Sequence, residues 1–332
     1  MFRSISWRIP SSGADGPRWR RWLFIGAKLL VTVVAFAALL RVVDQDVFVA
    51  LLPHIHWGLV AIALGSVVVQ ILIVAARWRM VIGWLADGPA PPPLRMVSIS
   101  YAGHFFNQVL PFVAGDGLRA WLLSLEGFRF RLSLRSVLVD RAMGVFALLL
   151  IALPSLFLAP MLNNNPAVAR PLTLLICGML AGFAISVTAA PLLLRLMRTW
   201  PIFQIIAEII MDTRKLLTSH SAWPVLGLSL MAHLIAVASV FVIARAIDLP
   251  LAFLDCFALV PSMLLVTMVP IAIGGWGVRE AVVVTLLRSA DIPAEPALLL
   301  SLSYGAVLTI SALPGIAAWL YLAGSRGPSD KD

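Results

Sequence analysis

Blocks of continuously apolar residues, each close to the ~20 residues that a helix needs to cross a bilayer core, dominate this sequence. Of its 332 residues, 61% are hydrophobic and 12% are charged, half of the ~25% charged residues in an ordinary soluble chain. A soluble enzyme or binding module is thereby excluded. A transmembrane barrel is excluded as well, because its strands would alternate apolar and polar residues over ~10 positions.

Six blocks are long enough to span a membrane, and two further apolar stretches are interrupted. The six blocks cover residues 22–43, 57–76, 136–159, 171–194, 223–247 and 296–323. The interrupted stretches, residues 96–125 and 251–290, contain Pro, Gly and charged residues where a continuous span would have none. We therefore predict an all-α, polytopic membrane helix bundle with about six full spans and two re-entrant hairpins built from broken helices.

One integral membrane domain is predicted over residues 22–323, between a basic N-terminal segment, 1–21, and a short tail, 324–332. Residues 202–217 carry charges among Ile, Phe and Leu, and we expect them to lie along the interface as an amphipathic helix. If each interrupted stretch returns to its own side, the segments on the side of the N-terminus contain 18 Lys and Arg, and the opposite segments contain 4. This bias predicts that both termini are cytoplasmic.

The two interrupted stretches resemble each other. Both run from Pro over four positions to Gly and then to Gly-hydrophobic-Arg, with one additional residue in the second. If the repeats are residues 22–159 and 171–323, the first unit starts inside and the second starts outside. The sequence thus predicts an inverted-topology repeat, in which paired broken segments indicate a transporter binding site. The predicted breaks are Pro111, Gly115 and Gly117 in the first stretch and Pro270, Gly274, Gly275 and Gly277 in the second.

Both breaks are expected to line a cavity, because exposed backbone at membrane depth is unfavourable unless protein or water covers it. Proline cannot donate the helical hydrogen bond, and glycine tolerates the dihedral angles of a reversal. A half-helix that begins just after the glycines would direct free N–H groups and its positive dipole end into the cavity. Such an arrangement suits an anion such as a lipid phosphate. We therefore predict one polar pocket shared by the two hairpins.

Charged side chains in the broken segments are expected to have a partner or a function, because each costs about 2.5–3.5 kcal/mol at membrane depth. Asp116 and Arg119 would share a helix face, either in the cavity or as an N-cap and an arginine that reaches the interface. Arg279 and Glu280 lie roughly 100° apart on a helix. We expect them to face in different directions, at least one into the bundle, unless both lie at the interface.

Other polar residues allow more than one interpretation. Asp140 and Arg141 begin an apolar helix, either as interfacial caps or as a second charged pair that faces the cavity. Asn107 precedes the first break and is predicted to hydrogen-bond a headgroup. His104 and His233 are interpreted as core histidines, and the sequence Arg77-Trp78-Arg79 as a basic, aromatic anchor at the interface.

Several classes of function lack their motifs. The sequence has no Walker lysine loop, no Gly-x-Ser-x-Gly elbow and no His-Glu-x-x-His motif, so it supports neither an ATP-driven protein nor a standard hydrolase. The two cysteines, Cys177 and Cys256, lie in apolar blocks and are expected to be small buried residues. No metal, cofactor or nucleic acid is expected to bind.

The polar residues also carry a resemblance to a known family. Their order and spacing resemble the lysylphosphatidylglycerol synthase transmembrane-region family, also called flippase-like, over about residues 23–322. The residues in question are Asn107, Leu110, Pro111, Gly115, Asp116, Arg119, Asp140, Arg141, Pro270, Gly274, Gly275, Gly277, Arg279 and Glu280. The resemblance implies a multi-pass protein of the bacterial inner (plasma) membrane, of the type that translocates lipids. Synthase activity is not expected, because the chain contains no aminoacyltransferase domain.

We predict a lipid flippase that moves an anionic phospholipid or a polyprenyl-phosphate-type lipid across the inner membrane. Membrane lipids are its expected partners, and a lipid-modifying enzyme is a further candidate. The alternatives are an intramembrane transferase that acts on a lipid phosphate, and a non-catalytic membrane subunit of a lipid or envelope biosynthesis pathway. The predicted substrate-binding residues are Asn107, Asp116, Arg119, Asp140, Arg141, Arg279 and Glu280.

Overall fold

The computed structural model of the chain describes residues 44–110, 114–160, 165–196, 201–268 and 275–324, and these residues form helices with no strand among them. The predicted N-terminal segment, the span at 22–43, the break residues Pro111, Pro270 and Gly274, and the tail from residue 325 lie outside them. The helices are α1 (Gln45–Leu51), α2 (Trp57–Ala86), α3 (Pro93–Val109), α4 (Ala114–Ser124), α5 (Phe130–Leu158), α6 (Pro166–Leu196), α7 (Pro201–Leu217), α8 (Ala222–Ala246), α9 (Phe253–Thr267), α10 (Val278–Arg288), α11 (Ala294–Ala312) and α12 (Pro314–Gly324).

Five segments of the described chain are long and apolar enough to cross a membrane: α2, α5, α6, α8, and α11 with α12 taken together. They correspond to the five predicted spans that fall within the described residues, so the chain is a polytopic helical membrane protein. Helices α2 and α5 are longer than predicted, because α2 continues to Ala86 and α5 already begins at Phe130. Helix α6 buries few of its residues. Cys177 on α6 is exposed, so the prediction of two buried cysteines is right only for Cys256.

The two interrupted stretches form pairs of short helices, α3 with α4 and α9 with α10, and the members of each pair pack against each other. Glycine has a different role in each pair. Gly275 and Gly277 have φ angles of 77° and 83°, which other residues rarely adopt, so they permit the reversal before α10. Gly115 and Gly117 instead lie inside α4, so placing them in the break was wrong. A Cβ on Gly115 would overlap the carbonyl oxygen of Gly103, so this glycine allows α3 and α4 to approach closely.

The packing of the helices repeats within the chain. Helices α2 to α5 form one set and α8 to α11 form a second, in which α8 packs on α9 and α11 as α2 packs on α3 and α5. The contacts between the sets are also paired, since α5 packs on α8 and α9 while α11 packs on α2 and α3. The largest contact joins α2 to α8, the first helix of each set. This is the packing expected of two similar units; their opposite orientation in a membrane remains a prediction.

Helix α7 is the predicted amphipathic segment, and it packs on α5 and α6. Arg131 of α5 donates to Glu208 of α7, with Nη2 and Oε1 2.6 Å apart, and Arg135 pairs with Asp212. Burial raises the pKa of the Asp212 carboxyl, an effect that Arg135 partly offsets. The basic residues at the start of α5 are therefore paired with acidic residues of α7.

Candidate functional site

A cavity of about 290 Å³ lies within the bundle, bordered by residues of α2, α3, α4, α5, α8, α9 and α11. One part of its wall is apolar, with Val67 and Ile71 of α2 and Leu264 and Met268 from the second hairpin. The remainder is polar or charged. The polar lining consists of Gln70, Arg77, Ser100, His104, Asn107, Gln108, Arg119, Asp140, Arg141, His233 and Tyr304. The charged lining residues come from three helices: Arg77 from α2, Arg119 from α4, and Asp140 and Arg141 from α5.

Five charged side chains form one network beside this cavity. Asp140 accepts hydrogen bonds from Arg77 Nε at 2.8 Å and from Arg119 Nη2 at 3.2 Å. Asp116 accepts from Arg141 Nε and Nη2 at 2.8 and 2.9 Å, and from Arg119 Nη1 at 3.3 Å. Arg119 therefore connects the two carboxylates. The structure thus brings together four of the predicted binding residues: Asp116, Arg119, Asp140 and Arg141. For Asp140 and Arg141 it agrees with the alternative in which they face the cavity and not with the one in which they cap a helix at the interface.

Exposure separates one member of the network from the others. The side chains of Arg77, Asp116, Arg119 and Asp140 have at most 6% of their surface exposed. The Arg141 side chain has 48% exposed and lines the cavity. A bidentate guanidinium–carboxylate pair with an accessible face holds a fixed positive group where an anion can reach it.

The buried arginines are positioned by residues that leave them space or a supporting ring. The Trp78 ring lies under the Arg119 guanidinium, with its centroid 4.2 Å from Cζ, and its indole N–H donates to Ser136 Oγ at 3.2 Å. A Cβ on Gly103 would lie 2.7 Å from Arg119 Cδ, so α3 can pack this closely against the arginine only because position 103 is glycine. Arg77 also donates to Ser229 Oγ of α8 at 3.2 Å.

Four buried side-chain atoms have no hydrogen-bond partner within the described residues, and all four belong to residues that line this cavity. They are Ser100 Oγ, His104 Nε2, Arg119 Nε and His233 Nδ1. Buried polar atoms are nearly always paired with protein or with ordered water. Their concentration around one cavity marks it as a candidate site for polar groups from outside the chain, either water or a ligand.

Asn107 has a second role besides lining the cavity. Its Oδ1 accepts a hydrogen bond from the Gly115 N–H at 2.9 Å, in the first turn of α4. In the second hairpin, Glu280 Oε2 accepts from the Gly277 N–H at 2.6 Å, at the start of α10. Side chains of the protein therefore occupy one N–H group at the start of each half-helix, and these two groups are not free donors for an anion as the sequence predicts.

Arg279 and Glu280 pair with each other instead of facing apart. Glu280 Oε1 accepts from Arg279 Nε at 3.0 Å, from Arg279 Nη2 at 2.7 Å and from Ser301 Oγ at 3.1 Å. The prediction from the helical angle was wrong because two long side chains bend toward each other across 100°. Both residues are buried, with 4% and 0% exposed, and neither lines the cavity. The pocket shared by Arg119 and Arg279 is therefore not formed by the described residues.

For some residues that line the cavity, the structure shows a different role from the one that the sequence predicts. Arg77 was interpreted as an interfacial anchor, yet it is 5% exposed and bonded to Asp140. The apolar sequence Met80-Val81-Ile82 after it indicates that α2 continues, and thus that Arg77 is internal. His104 and His233 were interpreted as core residues, but both line the cavity. No three His, Cys, Asp or Glu residues of the described chain are grouped to hold a metal ion.

Comparisons with known proteins agree with the membrane fold. A family model described as the lysylphosphatidylglycerol synthase TM region matches residues 25–315. Over 132 residues the chain is 29% identical to a UPF0104 membrane protein of Methanothermobacter thermautotrophicus. That match covers 39% of this chain and 37% of the relative, so it spans well under half the length of either protein. No solved structure matches the chain.

Proposed function

Because the chain belongs to the lysylphosphatidylglycerol synthase transmembrane-region family, we propose that it translocates an anionic phospholipid or a polyprenyl-phosphate-type lipid across a bacterial inner membrane. The family establishes a membrane protein with which a lipid-related function is compatible. We also propose that both termini are cytoplasmic, and the excess of Lys and Arg in the segments on the side of the N-terminus supports this orientation. The matched relative is named only as a membrane protein and adds no substrate.

The observation that carries the proposal is a cavity with accessible positive charge inside a bundle whose outer surface is apolar. Arg141 lines the cavity with a side chain that is 48% exposed. Four other lining residues, Ser100, His104, Arg119 and His233, have a buried polar atom without a partner among the described residues. Guanidinium groups bind phosphate through paired hydrogen bonds. We place the headgroup phosphate against Arg141 and Arg119, with the lipid chains remaining in the apolar surroundings.

The repeated packing suggests how such a cavity opens. In this proposal the two helix sets, α2 to α5 and α8 to α11, move relative to each other about the contact between α2 and α8. The cavity has walls from both sets, since residues of α2 to α5 and residues of α8, α9 and α11 line it. A relative rotation would expose it first to one side of the membrane and then to the other.

Reconstituted vesicles test the proposal. Purified protein in phosphatidylcholine vesicles with a trace of fluorescent phosphatidylglycerol should speed the exchange of label between leaflets, measured by quenching from outside. Arg141→Gln should slow that exchange at least 10-fold, because the accessible guanidinium is lost while Asp116 keeps Arg119 as a partner. Arg131→Gln is the matched control, since it removes the same charge from a half-exposed arginine of α5 that lies away from the cavity.

Two results would count against the proposal. If the wild-type chain moves neither phosphatidylglycerol nor a labelled polyprenyl phosphate faster than vesicles without protein, translocation is rejected. If Arg141→Gln exchanges lipid as fast as Arg131→Gln does, the cavity is not the headgroup site.

A further inference from the structure

We propose that the cavity selects a headgroup with a single negative charge, a phosphodiester, over a phosphomonoester or diphosphate that carries two or more. The inference rests on the proposed function, because it decides between the two lipid classes named there. It assigns the substrate to the diacyl phospholipid class, in which the phosphate is esterified on both sides. A polyprenyl monophosphate is then the disfavoured class.

The charge count around the cavity carries this inference. Among the residues that the structure describes, three arginines, Arg77, Arg119 and Arg141, face two carboxylates, Asp116 and Asp140, so the network has a surplus of one positive charge. The chain at the breaks, residues 111–113 and 269–274, contains no charged side chain that would alter the count. We count the lining histidines as neutral, because a further positive charge beside these arginines would be repelled in a buried site.

The surplus charge lies on the side of the network that faces the cavity. Each oxygen of Asp140 accepts from a different arginine, Oδ1 from Arg77 and Oδ2 from Arg119. Both oxygens of Asp116 accept from Arg141. The carboxylates are thus already occupied, whereas Arg119 Nε is unpaired and Arg141 is accessible. An anion that enters the cavity meets the accessible Arg141 guanidinium, which shares the Asp116 carboxylate with the buried Arg119.

Desolvation decides how much charge the site accepts. The cost of removing an ion from water rises with the square of its charge, so a dianion costs about four times as much as a monoanion of similar size. Its attraction to a surplus of one positive charge only doubles. A phosphodiester therefore leaves the site neutral, whereas a phosphomonoester dianion leaves it with one uncompensated negative charge, which is unfavourable in a buried location.

The second hairpin does not provide the missing positive charge. Arg279 lies close to Tyr304, which lines the cavity, but its charge is balanced by Glu280 in direct contact. The remaining unpaired atoms belong to Ser100, a neutral hydroxyl, and to His104 and His233, which are counted as neutral. They can hydrogen-bond the two non-ester oxygens of a phosphodiester, but they add no charge that would balance a dianion.

Binding to the purified full-length chain tests the charge preference directly. The probes are dihexanoyl phosphatidylglycerol and dihexanoyl phosphatidic acid at pH 8, where a phosphomonoester is close to a dianion. We expect the wild-type chain to bind the phosphodiester at least 10-fold more tightly. Asp116→Asn raises the surplus to two charges and should shift the preference at least 10-fold toward phosphatidic acid. The matched control is Glu208→Gln, which removes a negative charge from α7, outside the cavity.

A second variant keeps the test decisive if Asp116→Asn fails to fold. Gln70 lines the cavity, and Gln70→Glu adds a negative charge in nearly the same volume. It should weaken phosphatidylglycerol binding at least 10-fold, whereas Gln204→Glu on α7 should leave it within 2-fold. Equal wild-type affinity for both probes, or equal shifts in the cavity and control variants, overturns the inference. Translocation without charge preference overturns only this inference; selective binding without any translocation overturns the proposed function and leaves the site selectivity standing.

Discussion

The two hairpin arginines, Arg119 and Arg279, hold corresponding positions with opposite consequences. Each follows a hairpin break and lies over a tryptophan ring, with distances from Cζ to the ring centroid of 4.2 and 4.6 Å. Each also donates a hydrogen bond to a residue of the next long helix, and in both helices that residue lies four positions before a glycine. That residue is Asp140 before Gly144 in α5, and Ser301 before Gly305 in α11.

One difference at these positions separates the two sites. In α5 the residue is acidic, and Asp140 is shared between Arg119 and Arg77. Arg119 lines the cavity, and its Nε is without a partner among the described residues. In α11 the residue is Ser301, and the balancing charge comes from Glu280, the neighbour of Arg279. The second site is thus neutral and closed, whereas the first retains positive charge and an opening. The same framework thus supports either a structural ion pair or a binding site, depending on which helix provides the carboxylate.

The largest effect should come from breaking the closed site. Glu280→Ala leaves Arg279 buried without its carboxylate, and removal of one partner of a buried pair costs about 3–5 kcal/mol. Denaturant unfolding of the detergent-solubilised chain measures the loss. The double variant Arg279→Met with Glu280→Gln is the control, because it removes both charges of the buried pair while the side-chain amide oxygen at position 280 can still accept from the Gly277 N–H and from Ser301.

The double variant also tests the assignment of roles. If the second site is structural only, the double variant should recover most of the stability and should translocate lipid at a rate close to that of the wild-type chain. A stable double variant that has lost translocation would instead place Arg279 in the transport mechanism and end the distinction between the two sites.

A smaller effect should separate the two glycines. A Cβ on Gly305 would lie 2.7 Å from Arg279 Cζ and 2.9 Å from Trp276 Cη2, whereas one on Gly144 would lie 3.1 Å from Arg77 Nη1. Because Arg279 is closed in by Glu280 and Ser301, Gly305→Ala should cost about 1–3 kcal/mol through overpacking. Gly144→Ala should cost less than about 1 kcal/mol, since Arg77 borders the cavity and can shift. Equal losses in the free energy of unfolding would contradict the picture of one closed and one open site.

The sequence predicts the architecture better than the partners. Continuous apolar blocks are sufficient for the described spans, because lipid leaves few alternatives for the backbone. The interruptions in residues 96–125 and 251–290 correctly predict two pairs of short helices, although Gly115 and Gly117 lie inside α4 and not in the break. The end of α2 was placed too early at the Arg77-Trp78-Arg79 sequence, because arginine usually marks an interface. A buried arginine is an exception that depends on Asp140, 63 positions away, and no local pattern shows that contact.

Side-chain pairing in the site required the structure for a similar reason. Helical spacing correctly brings Asp116 to Arg119, but it cannot show that Arg141, 25 positions further along the chain, holds both oxygens of Asp116. The same rule fails for Arg279 and Glu280, because flexible side chains can meet where their Cβ positions diverge. The unpaired atoms of Ser100 and His104 follow from the shape of the cavity, which arises only when helices from both sets pack together.

The smallest effect should come from the exposed ion pair between α5 and α7. The Arg131 side chain is 50% exposed, and its hydrogen bonds to Glu208 compete with water. Glu208→Gln should therefore change the free energy of unfolding by about 0–1 kcal/mol, and high salt should reduce the difference further. Arg135, 3.7 Å from Glu208, keeps Asp212 as its main partner, so the substitution leaves no buried charge unpaired. A loss as large as that of Glu280→Ala would mean that burial does not separate the ion pairs of this protein, because a pair open to water would then contribute as much as one enclosed in the bundle.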